Sequence, residues 1–370
     1  MISKNTAYLP RLDHLRFFAA AIVVTYHYAY GAIAQISDPV VMLLFRDGYS
    51  GVSLFMVVTG FILTLICLEK DVKYGSFIYN RLLRIYPLYI VVVLLVSFSA
   101  GRQVPLSSFL AMATFTGNLN GVIIPKYTHI WTLMVEFQFY LLFPFLMAFL
   151  NRFGAIYLLA VIAVMVAIRT SLLLSDGSVQ DAAYWTILGR LDQFAVGMLA
   201  AVVFRRRPAW LQGLAWLPAA CALLIGWVYL FDRWCGGYYG PGSPSSPSAA
   251  WVIGPTCEAA AYAFVVLAYL RFPAGASLQR YLGFVGRALT FLGTISFSIY
   301  IWHYPVVQAV QKLALPAFMT WPLSLILVVF PIVILVSSLS YFVIERPFFA
   351  MRTVYATARP DAAAAGPRPG

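Results

Sequence analysis

Apolar residues run along this chain in long blocks separated by short polar stretches. The blocks lie at 15–34, 49–68, 84–100, 130–150, 155–174, 184–204, 211–230, 249–270, 289–311 and 321–343. Each has about the 17–25 residues that an α-helix needs to cross the hydrocarbon core of a bilayer. A segment in lipid must satisfy its own backbone hydrogen bonds, so the pattern predicts an all-α integral membrane protein with about ten transmembrane helices in one bundle. A shorter apolar stretch, 104–116, is bounded by Pro105 and Gly117 and reads as a re-entrant or interfacial piece. The Gly-, Pro- and Ser-rich segment 236–248 reads as a connector on the exterior side. The stretch from Thr357 to Gly370 has no periodic apolar pattern. Residues 1–350 are therefore expected to form one transmembrane domain, and 351–370 a disordered cytoplasmic tail.

Composition agrees with the block pattern. Of 370 residues, 62% are hydrophobic and 10% charged, which excludes an ordinary soluble domain. The net charge of +12 would suggest nucleic acid in a soluble protein, but here the cations fall in the loops. With the N-terminus inside, 18 of the 25 Lys and Arg lie at inner helix ends and five in outer loops, with Arg169 and Arg190 left within spans. That asymmetry puts both termini in the cytoplasm, gives the basic loops anionic lipid to contact, and removes nucleic acid as a partner. Cys67, Cys221 and Cys257 sit in apolar runs and Cys235 in an outer loop, so neither a disulfide framework nor a metal cluster is suggested. The first apolar block contains Arg16 and His27 and is read as a retained helix, not a signal peptide.

An ionisable side chain at bilayer depth costs about 2.5–3.5 kcal/mol or more, so each one demands a partner, a cavity or a function. Arg16 and His27 are close to three helical turns apart and share a face, with His27 roughly 16 Å deeper. Taken alone, a satisfied core histidine and a snorkelling anchor would explain them equally well. However, His27, Glu136, Arg190, Asp192, Glu258 and His303 all fall roughly 6–10 residues from an exterior helix end, which predicts one polar layer around a hydrated cavity. Within it, Arg190 and Asp192 are expected to form an ion pair. A proton pathway in a transporter would use the same residue types. His129 stands at the cavity mouth, and Trp131 reads as an interfacial aromatic anchor. On the inner side, Arg81 and Arg84 are three apart on one helix face near Arg16, an arrangement suited to bidentate phosphate recognition as well as to anchoring. The stretch from Lys70 to Lys73 alternates in charge and reads as a solvated loop. No P-loop, dinucleotide fingerprint, nucleophile elbow or metal-ligand spacing is present.

These same residues resemble the signature of the acyltransferase 3 family, bacterial membrane enzymes that acylate hydroxyls of surface glycans and small molecules. Leu12-Asp13-His14-Leu15-Arg16 with His27 resembles its first-helix pattern, and FMVVTGF at 55–61 its second-helix motif, with Thr59 where Ser is usual. Arg81 and Arg84 match its RxxR motif. WTLMVEFQFYLLFP from Trp131 resembles its WSLxxEExFYLxxP segment, with Phe137 in place of the second glutamate. Arg190-Leu191-Asp192, SFSIYIWHYP at 296–305 and Ile344-Glu345-Arg346-Pro347-Phe348 follow in the family's order.

The resemblance implies a multi-pass protein of the bacterial inner (cytoplasmic) membrane. It would move an acyl group, acetyl first of all, from cytosolic acyl-CoA to a saccharide or lipid-linked glycan, with no metal. It assigns function to His27, read here as general base or acyl carrier, and to Arg16, with Asp13 beside them on the first helix; Glu136 is the acid expected to orient or tune His27. The donor's phosphates fall to Arg81, Arg84 and Arg16. Acceptor-side candidates are Trp131, His129, Arg190, Asp192 and His303. The rival is a proton-coupled transporter of an acyl group or saccharide, which helix breaks near Pro87, Pro144 or Pro305 would favour.

Overall fold

Helices supply nearly all the regular structure, as burial of a backbone in lipid demands. The computed structural model describes residues 8–33, 47–99, 104–119, 129–177, 179–206, 213–235, 249–273, 283–316 and 318–358. In chain order these form α1 (Pro10–Ile33), α2 (Gly51–Cys67, entered through a 3₁₀ turn at Gly48–Ser50), β1 (Lys70–Val72), α3 (Tyr74–Ser99), α4 (Leu106–Ala113), α5 (Trp131–Phe153), α6 (Ala155–Asp176) and α7 (Gln180–Trp185). Then come α8 (Ile187–Arg206), α9 (Trp216–Trp234), α10 (Ala250–Arg271), α11 (Gly283–Thr294), α12 (Ser296–Val310), α13 (Trp321–Phe349) and β2 (Ala356–Ala358).

Among the described residues, each of the ten apolar blocks is mostly helix. Seven helices among the described residues are long and apolar enough to cross a membrane: α2, α3, α5, α6, α8, α10 and α13. The pair α11 and α12, bent by 72° at Ile295, makes eight if it is one span. Helices α1 and α9 fall outside that set; α1 spends much of its length on Arg11, Asp13, His14, Arg16 and His27. The chain runs unbroken through Pro87, Pro144 and Pro305, so the break lies elsewhere than the prolines suggested. Helix α13 instead accommodates two π turns, Leu325–Val329 and Tyr341–Glu345. The stretch 104–116 supplies only the eight-residue α4, far too short to span.

Close packing centres on α2 and α8, and two glycines permit it. A Cβ at Gly60 would lie 2.2 Å from the Phe194 carbonyl oxygen, and one at Gly197 would lie 2.1 Å from that of Val57. Backbone against backbone replaces side-chain interdigitation, the device by which membrane helices gain dispersion contact. The outer helices leave large apolar side chains uncovered, among them Ile156, Leu159 and Leu174 on α6 and Leu335, Leu339 and Val343 on α13. Such a belt suits hydrocarbon and no aqueous surface.

Two expectations change at one end of the bundle. The stretch 70–73, read as a solvated loop, contains β1, and the residues read as a loose tail from 351 enter the fold as far as Ala358. The strands pair antiparallel, with Lys70 opposite Ala358 and Val72 opposite Ala356. The Lys73 amide donates to the Tyr355 carbonyl at 2.9 Å, and Tyr355 is 3% exposed. Backbone pairing of this kind leaves no side-chain pattern to read. The remaining tail, 359–370, and the connector at 236–248 lie outside the described residues.

Candidate active site

Three histidines from separate elements meet where the sequence suggested one layer. His27 on α1 and His303 on α12 have ring centroids 4.9 Å apart, and His129, just before α5, lies 5.1 Å from His303. Hydrogen bonds fix their tautomers. The Nδ1 of His27 faces the Val23 carbonyl at 3.0 Å, so it carries the proton, and the Nε2 of His303 lies 3.2 Å from that same nitrogen as acceptor. His303 in turn donates from Nδ1 to the Tyr300 carbonyl at 2.5 Å, and His129 contacts the Ile301 carbonyl through Nε2 at 3.2 Å. The lone pair of His27 therefore sits on Nε2, which makes no hydrogen bond among the described residues. Tyr26 and Tyr304 pack edge-on against the His27 ring at 4.9 and 5.4 Å.

Next to this cluster opens a cavity whose wall includes Arg16, Thr59, Arg84, Thr132, Glu136, Tyr140 and Tyr300. Glu136 is held there by the hydroxyls of Tyr140, at 2.5 Å, and Thr59, at 3.4 Å. It makes no hydrogen bond to His27 among the described residues; the side chain within hydrogen-bond distance of His27 is that of His303. Tyr300 joins the two regions: its hydroxyl donates to the His129 carbonyl at 2.7 Å and accepts from Thr132 at 2.8 Å, while its ring borders the cavity. Sequence reading overlooked Tyr300, although it stands three residues before His303 and hence on the same helix face.

The remaining polar groups of the expected layer separate into two buried networks. Arg190 and Asp192, two apart on α8, point to nearly opposite sides of the helix and do not pair. Asp192 instead bonds Arg169 of α6 at 2.7 Å and also accepts from the Thr256 hydroxyl. Arg169 spends its other donors on the Val252 and Gly189 carbonyls at 2.8 and 3.0 Å. Arg190 donates to the Tyr184 carbonyl, at 3.0 Å, and to Ser53 and Gln193, both at 3.2 Å. Ser53 passes its own proton to Glu258 at 2.6 Å. Trp131 is not an exposed anchor: it is 3% exposed and lies under the Arg190 guanidinium, 5.6 Å from the ring centroid.

At the β-ribbon end, Arg81 and Arg84 sit in the early turns of α3, which begins ten residues before the apolar block because its polar first turns still satisfy the helix. Arg81 lies over the rings of Phe77, Tyr140 and Tyr355 at 5.5–5.7 Å, and Arg84 over Phe349 at 5.4 Å. Arg16 bonds Asp13 at 3.5 Å, and Asp13 also accepts from Tyr8 at 2.5 Å. Asp13 thus braces Arg16 at the foot of α1, far from His27. Glu345 is fully buried in the second π turn of α13, accepts from Ser298, and feels the charges of Arg84, Arg16 and Arg352. Neither Glu345 nor Arg352 stood out in the sequence as a site residue.

A helical bundle with a histidine cluster in its interior, a cavity of mixed apolar and polar lining beside it and guanidinium groups at one end defines a multi-pass membrane protein with an internal chamber. The family model described as an acyltransferase domain, acyltransferase 3, matches residues 9–342, and the chain belongs to that family. Among curated relatives, it is 25% identical to "Putative peptidoglycan O-acetyltransferase YrhL" of Bacillus subtilis, over 93% of this chain and 55% of that protein. Against "Putative membrane-bound transacylase BcsY" of Komagataeibacter xylinus it is 26% identical over 90% of this chain and 81% of the relative. Against "O-acetyltransferase OatA" of Staphylococcus aureus it is 22% identical over 92% of this chain and 57% of the relative. The chain therefore spans little more than half the length of the Bacillus and Staphylococcus proteins. No solved structure matches it.

Proposed function

We propose that the protein is a membrane O-acyltransferase of the bacterial cytoplasmic membrane. It carries an acyl group, acetyl first of all, from cytosolic acyl-CoA to a hydroxyl of a cell-surface or lipid-linked saccharide. The observation that carries this reading is the state of His27: its Nδ1 proton is committed to Val23 at 3.0 Å, which leaves Nε2 as an open base. In the reaction, Nε2 takes the proton of the acceptor hydroxyl as its oxygen attacks the thioester carbonyl. The C–S bond breaks, and the departing thiolate collects the proton from the imidazolium. Family membership and the relatives' names support transfer to oxygen.

On this reading ten helices cross the bilayer, both termini are cytoplasmic, and residues 1–350 form the catalytic domain ahead of a cytoplasmic tail. Arg81, Arg84 and Arg16 then hold the donor's phosphates at the cytosolic face, and the extended pantetheine arm covers the roughly 16 Å up α1 to His27. His129, Trp131 and His303 border the acceptor's approach. Arg190 and Asp192 support it from their buried networks.

The test is transfer of label from radioactive acetyl-CoA to an added glycan by the purified protein in proteoliposomes. His27→Ala should lose at least about 100-fold in rate. A His27→Ala protein that acetylates at the wild-type rate overturns the reading. Transport without transfer is the rival, favoured by the 72° break between α11 and α12. It predicts label accumulating inside vesicles with no covalent product.

A further inference from the structure

We propose that Arg352 completes, with Arg81 and Arg84, a three-guanidinium site for the phosphate groups of the acyl donor. The proposal rests on the acyl-CoA reading above. Arg352 lies beyond the stretch matched by the family model and three residues past α13. Two backbone-to-amide bonds bring it back onto α3: the Asn80 side chain donates to the Thr353 carbonyl at 2.6 Å, and the Thr353 amide donates to Asn80 at 2.9 Å. Arg352 and Arg81 are thereby each one residue from a fixed clamp. Arg352 leans on the Phe349 ring, 3.7 Å from its centroid, and Arg84 leans on the same ring. Arg81 stacks on Tyr355, three residues further along.

Three cations are gathered here, and Glu345, whose charge reaches Arg84 and Arg352, is in ion-pair contact with neither. No carboxylate among the described residues lies within ion-pair distance of any of them. Buried donors stand without a partner on all three: Nε of Arg81, Nη2 of Arg84, and both Nε and Nη2 of Arg352. Glu345 does not answer them, since one of its oxygens accepts from Ser298 and the other has no partner. Burial and the neighbouring charges of Arg84 and Arg81 push the Arg352 guanidinium below its ordinary range. That crowding is relieved by a dianion, and the planar fork of arginine matches phosphate oxygens in pairs. A lipid headgroup carries the same phosphate chemistry. The donor is favoured because Arg84 also lines the interior cavity that reaches Glu136 and Tyr300, so a ligand gripped here has its far end directed inward.

The test compares acetyl-CoA with acetyl-pantetheine, which has the thioester but no phosphate, as donors for the full chain in phosphatidylcholine nanodiscs. For Arg352→Gln the expected result is a KM for acetyl-CoA raised about tenfold or more with kcat held, and a ratio of kcat/KM for acetyl-CoA over acetyl-pantetheine lowered equally. Arg352→Lys should fall between, and a melting temperature for each variant separates binding from folding. An equal loss with both donors overturns the proposal by showing a structural role. An unchanged KM in Arg352→Gln, alongside a raised one in Arg81→Gln and Arg84→Gln, overturns it and leaves the donor reading intact. If all three variants keep the wild-type KM, the donor reading falls with it. A wild-type advantage that appears only when phosphatidylglycerol is added assigns the site to lipid and likewise overturns it.

Discussion

Arg169 and His27 answer burial in opposite ways. Arg169 is 1% exposed and spends its donors on two carbonyls, the Thr256 hydroxyl and Asp192, so it holds helices together and offers nothing to a ligand. Removing it leaves the buried Asp192 carboxylate without its counter-ion. Arg169→Met should lower stability by about 3–5 kcal/mol, seen as a fall in melting temperature in detergent, and Arg169→Met with Asp192→Leu should recover much of the loss. His27 instead keeps one nitrogen unengaged. Its ring is steadied by His303, so His303→Ala should reduce kcat by up to about 100-fold, with a smaller effect on KM. The sequence made His27 legible, because a histidine in an apolar helix one face with Arg16 is costly unless used. It marked Arg169 as a cation within a span but not its partner, which lies on another helix, and it paired Arg190 with Asp192 although two-residue spacing on a helix turns side chains apart. His303 was visible as a candidate, but its contact with His27 depends on how α1 and α12 pack, which no spacing along one helix reveals.

Helices were the readable unit because lipid enforces their length and apolarity. Their ends were less so: α3 begins in a polar stretch, and the bend at Ile295 follows no proline. What the α2–α8 contact requires is space, and the glycines at 60 and 197 provide it. Gly60→Ala should cost about 1–3 kcal/mol, since its new methyl would meet the Phe194 backbone and not a movable side chain. A thermal melt against wild type reads the change, and a protein of undiminished stability would show that the two helices can part without penalty.

For the molecule as a whole, the charge bias along the chain makes a directional claim. Single cysteines at Arg205 and Lys312 in a cysteine-free background should label oppositely: Lys312→Cys with an impermeant maleimide in intact cells, Arg205→Cys only after permeabilisation. The reverse pattern overturns the orientation with both termini in the cytoplasm. The small β-ribbon has a consequence for manufacture. Val72 is translated well before its partner Ala356, and the Asn80 clasp on Thr353 waits with it. A product released before Thr353 would lack both the ribbon and the clasp that sets Arg352 against α3.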